Sequence, residues 1–383
     1  MKKIQTIPYG KQNIQKDDIR SVVSVLRSKW LTTGPMVEKF ELALAKYTQA
    51  NYAVSLANGT AALHAALSVL NLAPGDEVLV TSITFVATAN AILYVGCVPI
   101  FCDINPHDLL IDLTDAQKKI TKKTKAIISV DYAGQPCDYS RIREFSKKNN
   151  LFFVSDACHS LGSSYKEKKI GGLADLTTLS FHPVKNITTG EGGAVVCNNR
   201  ALYFRLKMFR NHGIDTDFRQ REKKNTWRYE MKVLGYNYRL SDIHAALGLN
   251  QLKKLDRWIL QRNTIAQHYN MMFKEDENIH SLQCNTNLLH AYHLYVVRVP
   301  ARIRNKLFLL LRREGIGVNI HYMPVYMHPF YKKRFNLPNN YCLNSFQVYK
   351  EILTLPIYPG LKKTQIYFVA EKIKKTIHDI QKK

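Results

Sequence analysis

Acidic residues are scarce in this sequence. Against 55 Lys and Arg stand only 30 Asp and Glu, a formal charge of +25 over 383 residues. Such an excess raises the possibility of a polyanionic partner, because lysine and arginine gain affinity for nucleic acid by releasing counterions from its phosphates. No long basic tract supports that reading. The lysines occur in short separate runs (Lys118-Lys119, Lys122-Lys123, Lys223-Lys224, Lys332-Lys333, Lys374-Lys375), without an RNP, zinc-finger or leucine-zipper pattern. They read as solvated helix faces, and nucleic acid is not an expected partner. A positive surface would still help collect a phosphorylated small molecule by long-range steering.

Paired cysteines are missing too. The seven present, Cys97, Cys102, Cys137, Cys158, Cys197, Cys284 and Cys342, are scattered, odd in number and free of CxxC spacing, which argues against a disulfide framework or a zinc knuckle. No metal is expected: His321 and His328, seven apart around two prolines, do not form a ligand pattern. Nowhere does an apolar stretch of about 18 residues suggest a membrane span, and the lysine-led N-terminus lacks the apolar segment of a secretory signal. A cytoplasmic protein is expected. Also absent are GxGxxG after a strand, GxxxxGK[ST] and HExxH, which removes the usual signatures of dinucleotide binding, nucleoside triphosphate binding and zinc hydrolysis.

What is present is alternation. In KDDIRSVVSVL, Ile19, Val22, Val23 and Leu26 recur at helical spacing behind Asp17 and Asp18, which predicts a capped amphipathic helix, and Gly34-Pro35 then breaks the chain. From Tyr52 onward, short β-branched runs (YAVSLA, EVLVTS, VPIFCDI, KAIISVDYA, LFFVSDA, LTTLSF, GAVVCN) are interleaved with helical patterns. This predicts an α/β fold, a three-layer large domain with a mostly parallel sheet. Beyond Leu247 the pattern changes to long helices, the mixed segment YHLYVVRV, a helix RNKLFLLLRREG and the strand-like GVNIHYM. We place a large domain at residues 1–250 and a smaller α+β domain at 251–383.

In such a sheet the loops leaving the strands' carboxyl ends form the ligand crevice, and the polar oddities of the sequence fall there. Lys185 follows the strand-end Ser180 by five residues, with Gly190, Gly192 and Gly193 beyond. Held in a crevice, a lysine can lose enough basicity to act as a nucleophile near neutrality; most lysines simply face solvent. Asp156 ends an apolar strand, where a carboxylate is costly to bury without a hydrogen-bonded or cationic partner, although it could instead cap a following helix. His159, three residues on, is either a ligand contact or a packed histidine. Asn58, Gly59 and Thr60 open a helix after a strand, an arrangement that seats phosphate when it is not merely structural. Phe85 also follows a strand and could stack on a flat ligand, though a core position is the commoner fate. The residues by themselves reach as far as a phosphate-bearing aromatic cofactor in an α/β crevice.

Taken together, LTTGPMVEKFE, NGTAAL, TFVATAN, SDACHS, SFHPVKNITTGEGG, RNHGI and GYNYRLSDIHAALGLNQLKKLD resemble the DegT/DnrJ/StrS family of sugar aminotransferases over essentially the whole chain. The resemblance implies the aspartate-aminotransferase-like fold, fold type I of the pyridoxal phosphate (PLP) enzymes. By motif it implies that Lys185 carries PLP, that Asp156 faces the pyridine nitrogen, that His159 meets the ring hydroxyl and that Phe85 stacks on the ring. Gly59, Thr60, Ala61 and Ser180 would hold the phosphate. Asn237 and Arg239 would reach the neighbouring subunit's site, making a homodimer with shared active sites. The same resemblance implies L-glutamate as amino donor and a UDP-linked keto sugar as acceptor, with Thr33, His321 and Tyr322 near the sugar nucleotide. A UDP-4-keto pentose or a dTDP-4-keto-6-deoxyhexose is the close alternative acceptor, and a non-catalytic basic regulatory protein the distant one. Family members that dehydrate their sugar carry histidine where Lys185 stands.

Overall fold

Strands in this chain are short and apolar on both faces, as expected when helices cover a sheet from both sides. In the computed structural model, which describes residues 6–382, β1 (Tyr52–Leu56), β2 (Glu77–Thr81), β3 (Val98–Cys102), β4 (Thr124–Val130) and β5 (Phe152–Asp156) join the strands Leu176–Ser180 and Gly193–Cys197. The seven form one sheet in the order β1, Gly193–Cys197, Leu176–Ser180, β5, β4, β2, β3. Gly193–Cys197 runs antiparallel to both its neighbours and every other pairing is parallel. This is the α/β architecture with a mostly parallel central sheet expected of the large domain. Met1–Gln5, part of the segment searched for a leader, lie outside the described residues.

Two apolar clusters sandwich the sheet. One gathers Phe40, Leu44, Leu79, Ile127, Phe153, Leu179 and Trp258, and the other Val54, Leu56, Val78, Val80, Ile128 and Val195; the alternation along β2 and β4 sends successive side chains to opposite faces. A third cluster assembles Ile265, Tyr269, Val297, Leu307, Val318, Leu353 and Val369 around a three-stranded sheet containing Tyr295–Arg298 and Ile352–Leu355. No helix among the described residues is long and apolar enough to cross a membrane.

Three local expectations change. Helix α1 (Lys16–Leu26) forms, but Ile19 and Leu26 are more than half exposed whereas Asp18 is fully buried. The helix docks through Asp18, which receives hydrogen bonds from Asn250 (2.8 Å), Gln251 (2.9 Å) and the Lys254 ammonium (2.8 Å). A paired, fully hydrogen-bonded carboxylate thus displaces the apolar stripe from the inner face. Gln15, with Asp18, makes the capping box. The long helix after Leu247 is two, Asp242–Leu252 and Leu255–Phe273, broken at Lys253-Lys254. GVNIHYM is not a strand: within it only Asn319 makes an isolated bridge, to Thr354, and Ile316 just before it makes another, to Ile7.

Candidate active site

Asp156 lies at the end of β5, 5% exposed. A turn follows it, so it caps no helix. Its carboxylate accepts from the Thr88 hydroxyl (2.7 Å) and the Cys158 amide (3.2 Å), and among the described residues no cation lies within salt-bridge distance. Thr88 is in turn fixed by the Thr84 hydroxyl at 2.8 Å. This leaves a buried carboxylate with room for a cationic or N–H partner.

Lys185 sits in the turn after Leu176–Ser180, its own amide bonded to the His182 carbonyl at 2.9 Å. Burial pushes its ammonium below the usual lysine range, against the opposing pull of Cys158 and Asp156. Asp156, Cys158 and Lys185 therefore share one small volume. His159 is buried, with Nε2 3.1 Å from the Tyr322 hydroxyl and Nδ1 without a hydrogen-bond partner. Burial, with Lys185 and His321 adding their charge, holds its pKa well below the ordinary histidine value. Asn186 secures the turn beneath by donating to the carbonyls of His159 (3.2 Å) and Leu161 (2.8 Å).

The phosphate-type seat is at the start of helix α3 (Gly59–Ser68). Asn58 is its cap, accepting the Ala61 amide at 2.8 Å, so Ala61 has already spent its donor, while the first-turn amides of Gly59 and Thr60 have no carbonyl one turn back. A Cβ on Gly59 would lie 2.9 Å from Cβ and 3.0 Å from Oγ of Ser180, so only glycine lets these two approach. Phe85 caps helix α4 (Val86–Tyr94) and is 56% exposed; it is no core residue, and its ring stands 6.0 Å from that of Tyr322. His321 is turned away from Phe85: Nδ1 meets the Thr354 hydroxyl at 2.9 Å, its carbonyl accepts from Tyr132, and burial with the nearby Lys185 charge takes its pKa down to about 4.

Thr33, Arg239 and Asn237 are not hydrogen-bonded to Asp156, His159 or Lys185, although the Tyr238 carbonyl between the last two accepts the amide of Ala57, next to the Asn58 cap, at 2.8 Å. Thr33 and Arg239 line a separate cavity of about 460 Å³ together with Glu41, Arg210 and Asn211, and Arg239 donates to the Asn211 amide oxygen at 2.8 Å. Asn237 is exposed between Tyr236 and Tyr238, which stack on each other at 5.0 Å and close around His64. Two crevice residues had not been singled out from sequence. Thr88 lies one helical turn beyond Thr84 in TFVATAN, a spacing that could have revealed it; His293, in YHLYVVRV, carried no local signal.

The profile of the DegT/DnrJ/EryC1/StrS aminotransferase family matches residues 12–374. The chain belongs to that family. Among its relatives is a UDP-4-amino-4,6-dideoxy-N-acetyl-beta-L-altrosamine transaminase of Campylobacter jejuni (strain 81-176), 38% identical over 96% of this chain and 99% of that one. Solved structures similar to it include PseC of Helicobacter pylori, an aminotransferase of pseudaminic acid biosynthesis, at 34% identity and TM-score 0.91 over 98% of this chain and 100% of that one. Spr1654 of Streptococcus pneumoniae, assigned as a sugar aminotransferase, superposes in its PLP and PMP forms with TM-scores of 0.92 and 0.93 at 32% identity, over 98% of this chain and all of that one. This aminotransferase uses pyridoxal 5′-phosphate. The crevice fits the group: a buried carboxylate short of a cation, an unpartnered His159 nitrogen, and a glycine cradle at a helix start.

Proposed function

We propose that the enzyme moves the amino group of L-glutamate onto C4 of a UDP-linked 4-keto-6-deoxy-N-acetylhexosamine, giving UDP-4-amino-4,6-dideoxy-N-acetyl-β-L-altrosamine for pseudaminic acid synthesis in the cytoplasm. The observation that carries this reading is the half-buried Lys185 in the turn beside a buried Asp156 that has no cationic partner among the described residues and a buried His159 with an unpartnered Nδ1. The identity of the acceptor is supported by what the Campylobacter relative and the Helicobacter structure are named for. When bound, PLP supplies an electron sink that eases removal of a proton from the carbon next to the amine. Lys185 would hold the cofactor through Nζ, and its free amine would carry the proton to and from the substrate carbon. Its lowered basicity suits that exchange near neutrality. Asp156 would hold the ring nitrogen, Phe85 would cover the ring and exclude water, and the amides of Gly59 and Thr60 with the Ser180 hydroxyl would seat the phosphate, Ala61 lining it. His159 meets the ring oxygen, with Tyr322 behind it.

In this reading Asn237 and Arg239 serve the crevice of a second copy, and Thr33, His321 and Tyr322 lie near the sugar nucleotide. Exposure of Asn237 favours the shared homodimeric site. We take residues 1–250 as the cofactor-binding domain and 251–383 as the smaller one.

Purified protein incubated with PLP, L-glutamate and a panel of UDP- and dTDP-linked keto sugars, with products weighed by mass spectrometry, tests the reading. Conversion of the UDP-4-keto-6-deoxy-N-acetylhexosamine, and borohydride fixation of the cofactor to Lys185, are expected. A Lys185→Ala protein that transaminates at the normal rate, or turnover of a different keto sugar alone, overturns it.

A further inference from the structure

One buried histidine beside the crevice has no part in the reaction as set out above. His293 is 5% exposed, its ring centroid is 4.5 Å from that of His159 at a 44° tilt, and Nδ1 of each ring lacks a hydrogen-bond partner. Buried polar nitrogens are seldom left unpartnered, and two in adjoining rings call for a reason other than stability.

The relative placement of the two rings is set by backbone. Ala291 donates to the Gly134 carbonyl at 2.9 Å and Leu294 to that of Ala133 at 3.1 Å. The Arg262 guanidinium donates to the carbonyls of Tyr292 (3.0 Å), Ile357 (3.0 Å) and, at 3.5 Å, His293. Gly134 has φ +99, and a Cβ there would lie 2.9 Å from the His159 carbonyl oxygen and 3.0 Å from the amides of Tyr292 and His293. One left-handed turn is thus the common seat of both histidines, which only glycine makes possible.

The charged and titratable groups acting on His293 are Lys185, His159, His321 and Arg262; on His159 they are Lys185 and His321, with the Tyr322 hydroxyl at Nε2. These, with burial, keep both imidazoles neutral around pH 7. A neutral His159 has two tautomers. In one, Nε2 accepts from Tyr322 and Nδ1 carries the hydrogen; in the other, the roles are exchanged.

We propose that His293 is a positioning residue for His159: its packed ring holds His159 at the tilt that joins Nε2 to the Tyr322 hydroxyl, and so selects which nitrogen presents a hydrogen to the crevice. The proposal rests on the reading of His159 as the contact to the cofactor's ring oxygen. A histidine from the C-terminal half would then govern a group that follows β5, linking the two halves of the chain through one pair of rings.

The test compares His293→Ala, which removes the ring, with His293→Phe, which keeps a flat ring and removes the nitrogens. In cofactor-free protein labelled with ¹⁵N-histidine, the ring nitrogen shifts report the tautomer of His159. A single neutral tautomer is expected in the parent protein from pH 6 to 8, and in His293→Phe, but a mixture in His293→Ala. In the holoenzyme, the pH midpoint of the cofactor's visible band should move in the alanine variant by at least about half a unit, with kcat down about tenfold, KM for the keto sugar held, and the phenylalanine variant recovering most of both. His293→Leu replaces the alanine variant if that one fails to fold. The same tautomer and band midpoint in all three proteins would overturn the proposal. Failure of the aminotransferase reading shows separately, as a parent protein that turns over no keto sugar while the cofactor-free His159 signal still reports on His293.

Discussion

The strand ends that carry Asp156 and Ser180 and the loop that carries Asn237 and Arg239 stand at opposite extremes of this chain. Asp156 is 5% exposed and tied to Thr88 and Cys158, and Ser180 is paired in the sheet with Gly193. Before Asn237 lie Trp227, 86% exposed, Leu234, 74%, and Met231, 64%. That loop is tied by its backbone to residues 209–215, with bridges from Asn211 to Asn237 and from Ile214 to Met231, and by the tyrosine pair around His64, while these large apolar side chains stay in solvent. Sheet hydrogen bonds fix the crevice floor within a single chain. The rim has large apolar side chains and a polar row but little to pack them against, as a surface awaiting a second body does. In the proposed homodimer, the chemistry would be preorganised in the subunit while substrate selection would fall to assembly.

The largest effect should follow from breaking the floor. Asp156→Ala leaves the Thr88 hydroxyl and Cys158 amide without their acceptor and removes the partner for the ring nitrogen; kcat/KM is expected to fall at least about 10³-fold, in steady-state assays with saturating PLP. A loss under tenfold would mean that the floor is no more specialised than the rim.

Acid should also separate the two regions. His321, held at about 4, and His290, pushed by burial to about 3, stay neutral in the folded chain at pH values where an unfolded chain, near the ordinary 6.5, takes up protons. Between pH 6.5 and 4 the unfolded state binds more protons, so stability is lost as pH falls through that window. By pH 5 His321 alone should cost about 2 kcal/mol, read from urea midpoints at pH 7 and 5. The exposed Arg228, Glu230 and Lys232 of the rim add no comparable dependence. Equal midpoints at the two pH values would break the contrast.

A rim substitution should act in trans. Arg239→Ala is expected to lower kcat/KM about tenfold, the worth of one charge-assisted contact, without moving the cofactor's visible band. Mixing Lys185→Ala with Arg239→Ala subunits through unfolding and refolding should then regenerate intact sites in hybrid dimers, up to about a quarter of all sites on random pairing. No recovery beyond the residual rate of Arg239→Ala would place that residue in its own subunit's crevice.

How much of this was legible beforehand follows the same division. Each large-sheet strand stood out because a run of β-branched residues between turns has few other uses, and Asp156 and Lys185 stood out because they end or follow such runs. Family wording supplied the roles of Asn237 and Arg239, which spacing could not. Helix α1 misled because its stripe of Ile19, Val23 and Leu26 obeys the core-facing pattern, yet the inner face was taken by Asp18 with Lys254 and Asn250, partners more than 230 residues away. His293 was invisible for a similar reason: what makes it special is the Gly134 turn, brought to it only by the tertiary fold.

The smallest expected effect is that of Trp227, set against its buried counterpart Trp258. Trp258 is 2% exposed in the floor's supporting cluster and Trp227 is 86% exposed in the loop. Trp258→Ala deletes a large buried ring and leaves a cavity, a change that costs about 3–5 kcal/mol in a packed core. Trp227→Ser removes a side chain that already faces solvent in the single chain, so its cost to subunit folding should stay within about 0.5 kcal/mol, measured by urea unfolding at high dilution. Sedimentation of the same Trp227→Ser protein at higher concentration tells whether the ring matters to assembly. If Trp227→Ser destabilises the diluted chain as much as Trp258→Ala does, the loop is packed within its own subunit, and the distinction between a finished floor and an unfinished rim fails.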